Sequence, residues 1–205
     1  MDSIDRLTQL FEKFPGIGPR QARRFVQYLL DTNPAARSEL SEHIKRLGAE
    51  SRQCTLCYRW FTKDGQGNER CAICANPARE SAIIFVVEKD ADIENVERSG
   101  FRGLYFVLGG TIALATEEHQ AHIRLRELLQ RVKEDAEQLK LNELILGLSA
   151  TTEGDHTREI LGEKLRTLSE SLNFRVSSLG RGLSTGSELE YADPDTIAQA
   201  LGNRH

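Results

Sequence analysis

No stretch of this 205-residue chain approaches the ~18–20 consecutive apolar residues that a membrane-spanning helix needs. The opening Met1-Asp2-Ser3-Ile4-Asp5-Arg6 lacks the basic-then-apolar pattern of a secretory leader. There is no low-complexity tract and no internal repeat, and 39% hydrophobic with 28% charged residues is the balance of an ordinary globular protein. These absences lead us to expect a cytoplasmic protein, in a compartment that keeps thiols reduced. The chain has only four cysteines, and there they are better read as metal ligands than as disulfides.

Acidic residues are also missing where they would matter. Between Lys13 and Leu30 there is no Asp or Glu, but there are four cations: Lys13, Arg20, Arg23 and Arg24. The whole chain has a net charge of −4, so this segment is +4 and the remainder −8. Screening confines each charge to roughly 8–10 Å, so a basic face on an acidic body can still hold phosphate. A solvated helix face is the plainer alternative.

Three zones follow along the chain. Residues 1–52 read as helices. Ile4, Leu7, Leu10, Phe11 and Phe14 recur at helical spacing, and Pro19 opens a second helix with Ala22, Phe25, Val26, Leu29 and Leu30 on one face. Asn33 and Pro34 start a third, carrying Leu40, Ile44 and Leu47. Residues 53–78 are short, polar and cysteine-bearing. From 79 to 178, apolar runs at 82–87, 104–108, 144–148 and, more weakly, 174–178 alternate with helical patterns near 91–98, 118–138 and 157–171. That alternation predicts a parallel sheet with both faces covered. Residues 179–205 read as a loop and a short helix from Asp193 or Pro194 to Leu201, an assembly segment.

Cys54-x2-Cys57 and Cys71-x2-Cys74 use every cysteine in the chain. Two such knuckles make a tetrahedral four-thiolate site for one Zn2+, with no open position for water. The site therefore holds the fold and does no chemistry. Trp60 and Phe61 lie between the pairs. They could stack on bases, but packing over the knuckles is the favoured reading. Placed between the helical zone and the sheet, the module reads as a rigid joint.

Phe14-Pro15-Gly16-Ile17-Gly18-Pro19-Arg20 joins the first two helices. Gly16 and Gly18 let the backbone approach another surface, and a helix start with its amides and dipole offers a phosphate site. Arg20, Arg23 and Arg24 follow within reach. This is the helix-hairpin-helix form of backbone binding, which positions DNA without reading sequence. A tight turn with no ligand is the alternative.

Glu88 ends the first strand, at the carboxyl edge where open α/β sheets bind ligands. After the third strand, Ser149-Ala150-Thr151-Thr152-Glu153-Gly154-Asp155 opens a helix. The Glu-Gly-Asp step, together with Glu88, resembles the Toprim fold of topoisomerases, primases and certain nucleases. In the topoisomerase form Asp-x-Asp-x-Glu-Gly-Glu, the paired aspartates hold magnesium, and they fall here at Ser149 and Thr151. Hydroxyls are poor substitutes for anionic oxygens at magnesium, and without anchored metals phosphodiester chemistry lacks its machinery. Glu88, Glu153 and Asp155 remain as an acidic pocket for an occasional, weakly held Mg2+ or a basic partner. His156 is read as a solvated helix-start residue.

The hairpin, the cysteine module and the degenerate Toprim domain, in that order, resemble the RecR family of bacterial recombination mediators. Arg79-Glu80-Ser81, Val87-Glu88, Arg102 to Tyr105, Val107 to Gly110, Thr152 to Asp155 and Glu188 to Asp193 carry the likeness over nearly the whole chain. The resemblance implies an α/β protein with an N-terminal helix-hairpin-helix, a small four-cysteine zinc module, a Toprim-type parallel domain and a C-terminal tail. It implies a non-catalytic repair protein that works with RecO, and in some bacteria RecF, to load RecA onto single-stranded DNA coated by single-strand-binding protein. It further implies a self-assembled dimer or ring-shaped tetramer, associated with the nucleoid. By position, Arg20 and Arg24 would contact DNA, and Glu88, Glu153 and Asp155 would face RecO. Phe106 replaces the family's usual His, Thr111 to Glu118 lacks a Pro-Leu-x-Gly-Ile-Gly-Pro loop, and Ser184-Thr185 replaces Pro-Val. The alternatives are a metal-dependent Toprim nuclease or primase-like enzyme, and a zinc-ribbon adaptor in transcription or translation.

Overall fold

The structure is a computed structural model that describes residues 2–63, 65, 67–114, 123–138, 141–183, 186 and 188–203. Part of the 111–118 segment and the Ser184-Thr185 step lie outside the described residues. The chain divides into two compact units, residues 1–52 and 53–205. Among the described residues no helix is long and apolar enough to cross a membrane.

In the first unit, Asp2 caps α1 (Ser3–Phe11) by accepting from the Asp5 amide at 2.8 Å. Thr8, buried on the inner face, returns its hydroxyl to the Ile4 carbonyl at 2.9 Å. The chain reverses through Gly16, whose φ of +75° is strained for any residue with a Cβ. It then enters α2 (Pro19–Asp31) with Pro19 at the first helical position, where a missing N–H costs nothing. Ala22 and Val26 bury completely, and Phe11 stacks 5.6 Å from Phe25. Asn33 caps α3 (Pro34–Glu50) through the Ala36 amide, while Arg37 donates to the Leu29 and Thr32 carbonyls at the end of α2. No residue of α3 is buried. Leu40, Ile44 and Leu47 are at 45%, 63% and 66% exposure, so the periodicity marks a face that the unit itself leaves uncovered.

At the boundary between the units the chain forms a two-stranded ribbon, β1 (Ser51–Gln53) with β2 (Trp60–Thr62), and a single turn of helix, α4 (Ala72–Ala75), follows. The main sheet has four parallel strands: β3 (Glu80–Val87), β4 (Gly103–Val107), β5 (Glu143–Gly147) and β6 (Arg175–Ser178), in the order β4-β3-β5-β6. The crossovers carry α5 (Asp92–Arg98), α6 (Leu125–Gln138) and α7 (Thr152–Leu172). Strand alternation divides the core in two. On one face Ile84, Val86, Leu104, Phe106, Leu144 and Leu146 pack with Leu128, Val132, Leu161 and Leu165 from α6 and α7. On the other, Phe85, Val87, Tyr105 and Val107 pack with Ile93 of α5 and with Cys54, Cys57 and Cys71. The covering of that second face is thus partly the cysteine module. The helix expected over 157–171 begins five residues earlier, because Thr151 caps it by accepting from the Gly154 amide at 3.1 Å. A 3-10 turn (Leu189–Tyr191) and α8 (Pro194–Gly202), capped by Asp193, complete the tail.

Candidate functional site

The four cysteine sulfurs lie within 4.8 Å of one another, and Cys57 Sγ is 3.6 Å from Cys71 Sγ. A tetrahedron with ~2.3 Å zinc–sulfur bonds has edges of about 3.8 Å, so the donor set fits the metal in size and softness. Each knuckle is shaped by backbone: the Tyr58 amide donates to the Cys54 carbonyl, the Cys54 amide to the Arg59 carbonyl, and the Ala75 amide to the Cys71 carbonyl. Tyr58 turns the first knuckle at φ +62°, a conformation rare for a bulky residue. Its ring is held edge-on to Phe106 at 5.4 Å and under the Arg124 guanidinium at 5.3 Å. Hydrogen bonds from Cys57 and then from Cys71 and Cys74 hold the Cys54 thiol far below its ordinary range. The bond with Cys54 pushes Cys57 the other way. Four thiols this close can all ionise only against a cation that neutralises them.

The module is bolted to the sheet. The Val107 amide donates to the Cys57 carbonyl at 2.8 Å, and Arg131 of α6 donates to the Leu56 carbonyl at 2.6 Å. Arg131 is nearly inaccessible and is neutralised by Asp135 at 2.6 Å. Nearby, Arg79 pairs with Glu97, which accepts from the Tyr105 hydroxyl at 2.6 Å. Burial, followed by that bond, raises the Tyr105 hydroxyl above its normal range. Helix periodicity conceals such ties. An arginine on a core-facing position of α6 is the only sign of the first. Phe61 packs toward the cysteines as expected, but Trp60 does not: it stands 57% exposed. Adjacent strand residues point to opposite faces, so one position can cover the knuckle and the next cannot.

In the first unit, Arg20, Arg23 and Arg24 line one open cleft of about 620 Å3 with Pro19 and Gln27. All three are exposed, and none forms an ion pair among the described residues. Gly18 supplies no side-chain cap to α2, and a Cβ at Gly16 or Gly18 would meet nothing within 4 Å. The hairpin apex thus leaves open space around both glycines, next to three guanidinium groups without an ion pair among the described residues, an arrangement suited to phosphate.

At the sheet's carboxyl edge the three predicted carboxylates do not converge. Among the described residues the cysteines form the one group of three or more such side chains close enough to share an ion. Glu88 accepts from both the amide and the hydroxyl of Ser149 at 2.6 Å. Ser149 Oγ also lies 3.0 Å from Thr151 Oγ1, the cap of α7. Gly154 is required here, since a Cβ would lie 2.2 Å from the Ser149 carbonyl. Asp155 is clamped by Arg158 and Arg181, and the Arg181 bond chiefly holds its carboxyl below the usual range. Glu153 stays exposed in the first turn, and His156 is half-buried beside it. Where the expectation was one acidic pocket, the residues form a hydrogen-bonded loop closure and a separate arginine clamp. Phe106 is fully buried in the core.

Comparison with known proteins bears on these parts together. Residues 82–178 match the Toprim domain family, residues 4–47 the family described as RecR, helix-hairpin-helix, and residues 182–205 that described as RecR, C-terminal. Recombination protein RecR of Chloroflexus aggregans is 38% identical over 202 residues, 98% of this chain and 92% of its own length. The RecR proteins of Bifidobacterium longum subsp. infantis and Bacteroides thetaiotaomicron are 35% and 37% identical, each covering 98% of this chain, and 95% and 92% of their own lengths.

Proposed function

The chain belongs to the RecR family of recombination proteins, and on that premise we propose that it is a non-catalytic, DNA-binding mediator of recombinational repair. It works in the cytoplasm at the nucleoid. With RecO, and RecF where present, it promotes RecA loading on single-stranded DNA held by single-strand-binding protein. The observation that carries this reading is the open cleft in which Arg20, Arg23 and Arg24 stand together beside the Gly16–Gly18 turn. Contacts of this type are to phosphate, so the binding is indifferent to sequence.

Self-association as a dimer or ring-shaped tetramer is supported by the apolar surface of the first unit. Phe14, Phe25, Tyr28 and Leu40 border an apolar cleft of about 440 Å3, and the α3 face is uncovered. Surface of that kind usually marks an interface. A ring would bring several basic hairpins to one opening and so offset the negative charge of the body. One structural Zn2+ per chain occupies the four cysteines. The Toprim edge serves recognition: of Glu88, Glu153 and Asp155, the exposed Glu153 is the carboxylate offered to RecO, since Ser149 holds Glu88 and two arginines hold Asp155. A non-catalytic role is supported by the commitment of Glu88 to Ser149 and of Asp155 to two arginines. Residues 1–52, 53–78, 79–178 and 179–205 are the corresponding functional segments.

Native mass spectrometry with and without DNA and RecO tests the scheme. We expect one zinc per chain, a dimer or tetramer, and complexes with both partners. A monomer that binds neither would refute it. The Arg20→Ala, Arg24→Ala double variant is expected to lose affinity on every sequence alike.

A further inference from the structure

The zinc ribbon displays an aromatic surface that the reading above leaves unused. Trp60 on β2 is 57% exposed, yet it is not loosely held. Its backbone amide donates to Asp90 at 2.5 Å. With the Gln53 amide turned so that its oxygen faces the two donors, that oxygen lies 3.2 Å from the indole Nε1–H and 3.1 Å from the Arg124 guanidinium. Both N–H groups are thus satisfied from within, and the ring is fixed with its outer face to solvent. Tyr58, Arg59, Trp60, Phe61, Thr62 and Lys63 interleave aromatic and basic residues, and the segment 51–74 has four cations against two acids in a chain of net charge −4. Lys63 and Arg70 are exposed.

We propose that Trp60 is a base-stacking platform on the zinc ribbon for single-stranded DNA. A pre-oriented indole loses little freedom on stacking, and every unpaired base presents a π-face, so the contact tolerates any sequence. The surrounding cations attract the backbone that carries the base. Paired bases already have their faces covered by neighbours, so the platform selects single strands, whereas the hairpin arginines accept the phosphates of either form. The inference rests on the chain being a DNA-binding protein, and it assigns to the metal module a contact of its own.

Trp60 is the single tryptophan of the chain, so intrinsic emission reports the site alone. The zinc-loaded full-length protein is titrated with oligo(dT) and with duplex DNA of equal length. Oligo(dT) should quench the emission, and duplex should bind without comparable quenching. Trp60→Ala should weaken oligo(dT) binding by about 5- to 150-fold, the range for loss of one stacked base. It should leave duplex affinity and zinc content unchanged. Trp60→Phe should recover part of the loss. Unquenched emission at saturating oligo(dT), no binding of oligo(dT), or equal affinity for Trp60→Ala would overturn the assignment. Quenching by RecO but not by DNA would overturn it too, making the ring a protein contact. The Arg20→Ala, Arg24→Ala variant keeps the two readings apart. If the hairpin reading fails, duplex affinity survives that change while the Trp60 quench is unaffected.

Discussion

The salt dependence of DNA binding gives a count of engaged hairpins. Each chain presents three arginines to its cleft, Arg20, Arg23 and Arg24, so one hairpin neutralises about three phosphates. Counterion release gives a slope of log K against log salt of about −0.9 per phosphate on duplex and about −0.7 on single strands. One hairpin should therefore show about −2.7 on duplex, a fall of about 40-fold between about 50 and 200 mM salt. Two hairpins acting together give about −5.4 and four about −11, so the slope separates a lone subunit from a clamp. Removing Arg20 and Arg24 should flatten the duplex slope by about 1.8 for each hairpin engaged. Fluorescence anisotropy at five salt concentrations, on two unrelated sequences, measures all of this. A slope shallower than about −1, or one untouched in the double variant, would refute the assignment of phosphate contact to the hairpin.

Two further predictions concern the cysteine module. Tyr58 sits at φ +62°, where a Cβ costs about 1–2 kcal/mol relative to glycine, part of which glycine returns as unfolded-chain entropy. Tyr58→Ala loses the contacts with Phe106 and Arg124 and keeps the strain, whereas Tyr58→Gly loses the same contacts and relieves it. Urea denaturation should find the glycine variant more stable than the alanine variant by about 1 kcal/mol, and the reverse order would count against the strain. Separately, zinc removal should reach the sheet, because Cys57 and Leu56 carbonyls hold Val107 and Arg131. If about a third of the ~10 kcal/mol typical of zinc peptides is coupled to the sheet, chelation or Cys57→Ser should lower Tm by about 6–12 °C. An unchanged melting curve with the zinc gone would show the module to be an appendage.

What could be read from the sequence was whatever is encoded locally. Cys-x2-Cys spacing announces the four-thiol cluster, because the geometry of a knuckle spans four residues. The strands at 80–87 and 103–107 were visible because parallel strands buried on both faces must be apolar at nearly every position. The hairpin turn was visible because Gly16, at φ +75°, holds a conformation that few other residues permit. Contacts made across long separations left no such trace. Asp155 and Arg181 are 26 positions apart, and nothing near either residue announces that the tail closes on the Toprim edge. Glu88 and Ser149 are 61 apart. Both could be recognised separately as remnants of a metal site, but not as partners in a hydrogen bond that replaces it.

The same distinction explains the two expectations about apolar residues that came out differently. Leu40, Ile44 and Leu47 have the spacing of a buried helix face and remain exposed, since periodicity says that a face is meant to be covered without saying by what. Trp60 and Phe61 are equally apolar neighbours, yet strand alternation assigns one to the knuckle and the other to solvent. In each case the residue types were read correctly and the occupant was not. Exposed apolar side chains lie on the hairpin unit, on the cysteine ribbon and along the tail at Leu179, Leu183, Leu189, Tyr191 and Leu201, while the sheet core is closed on both faces. At the sheet edge Glu88 is taken up by Ser149 and Asp155 by Arg158 and Arg181, while among the described residues the hairpin arginines, the Trp60 ring and the α3 face stand open to solvent.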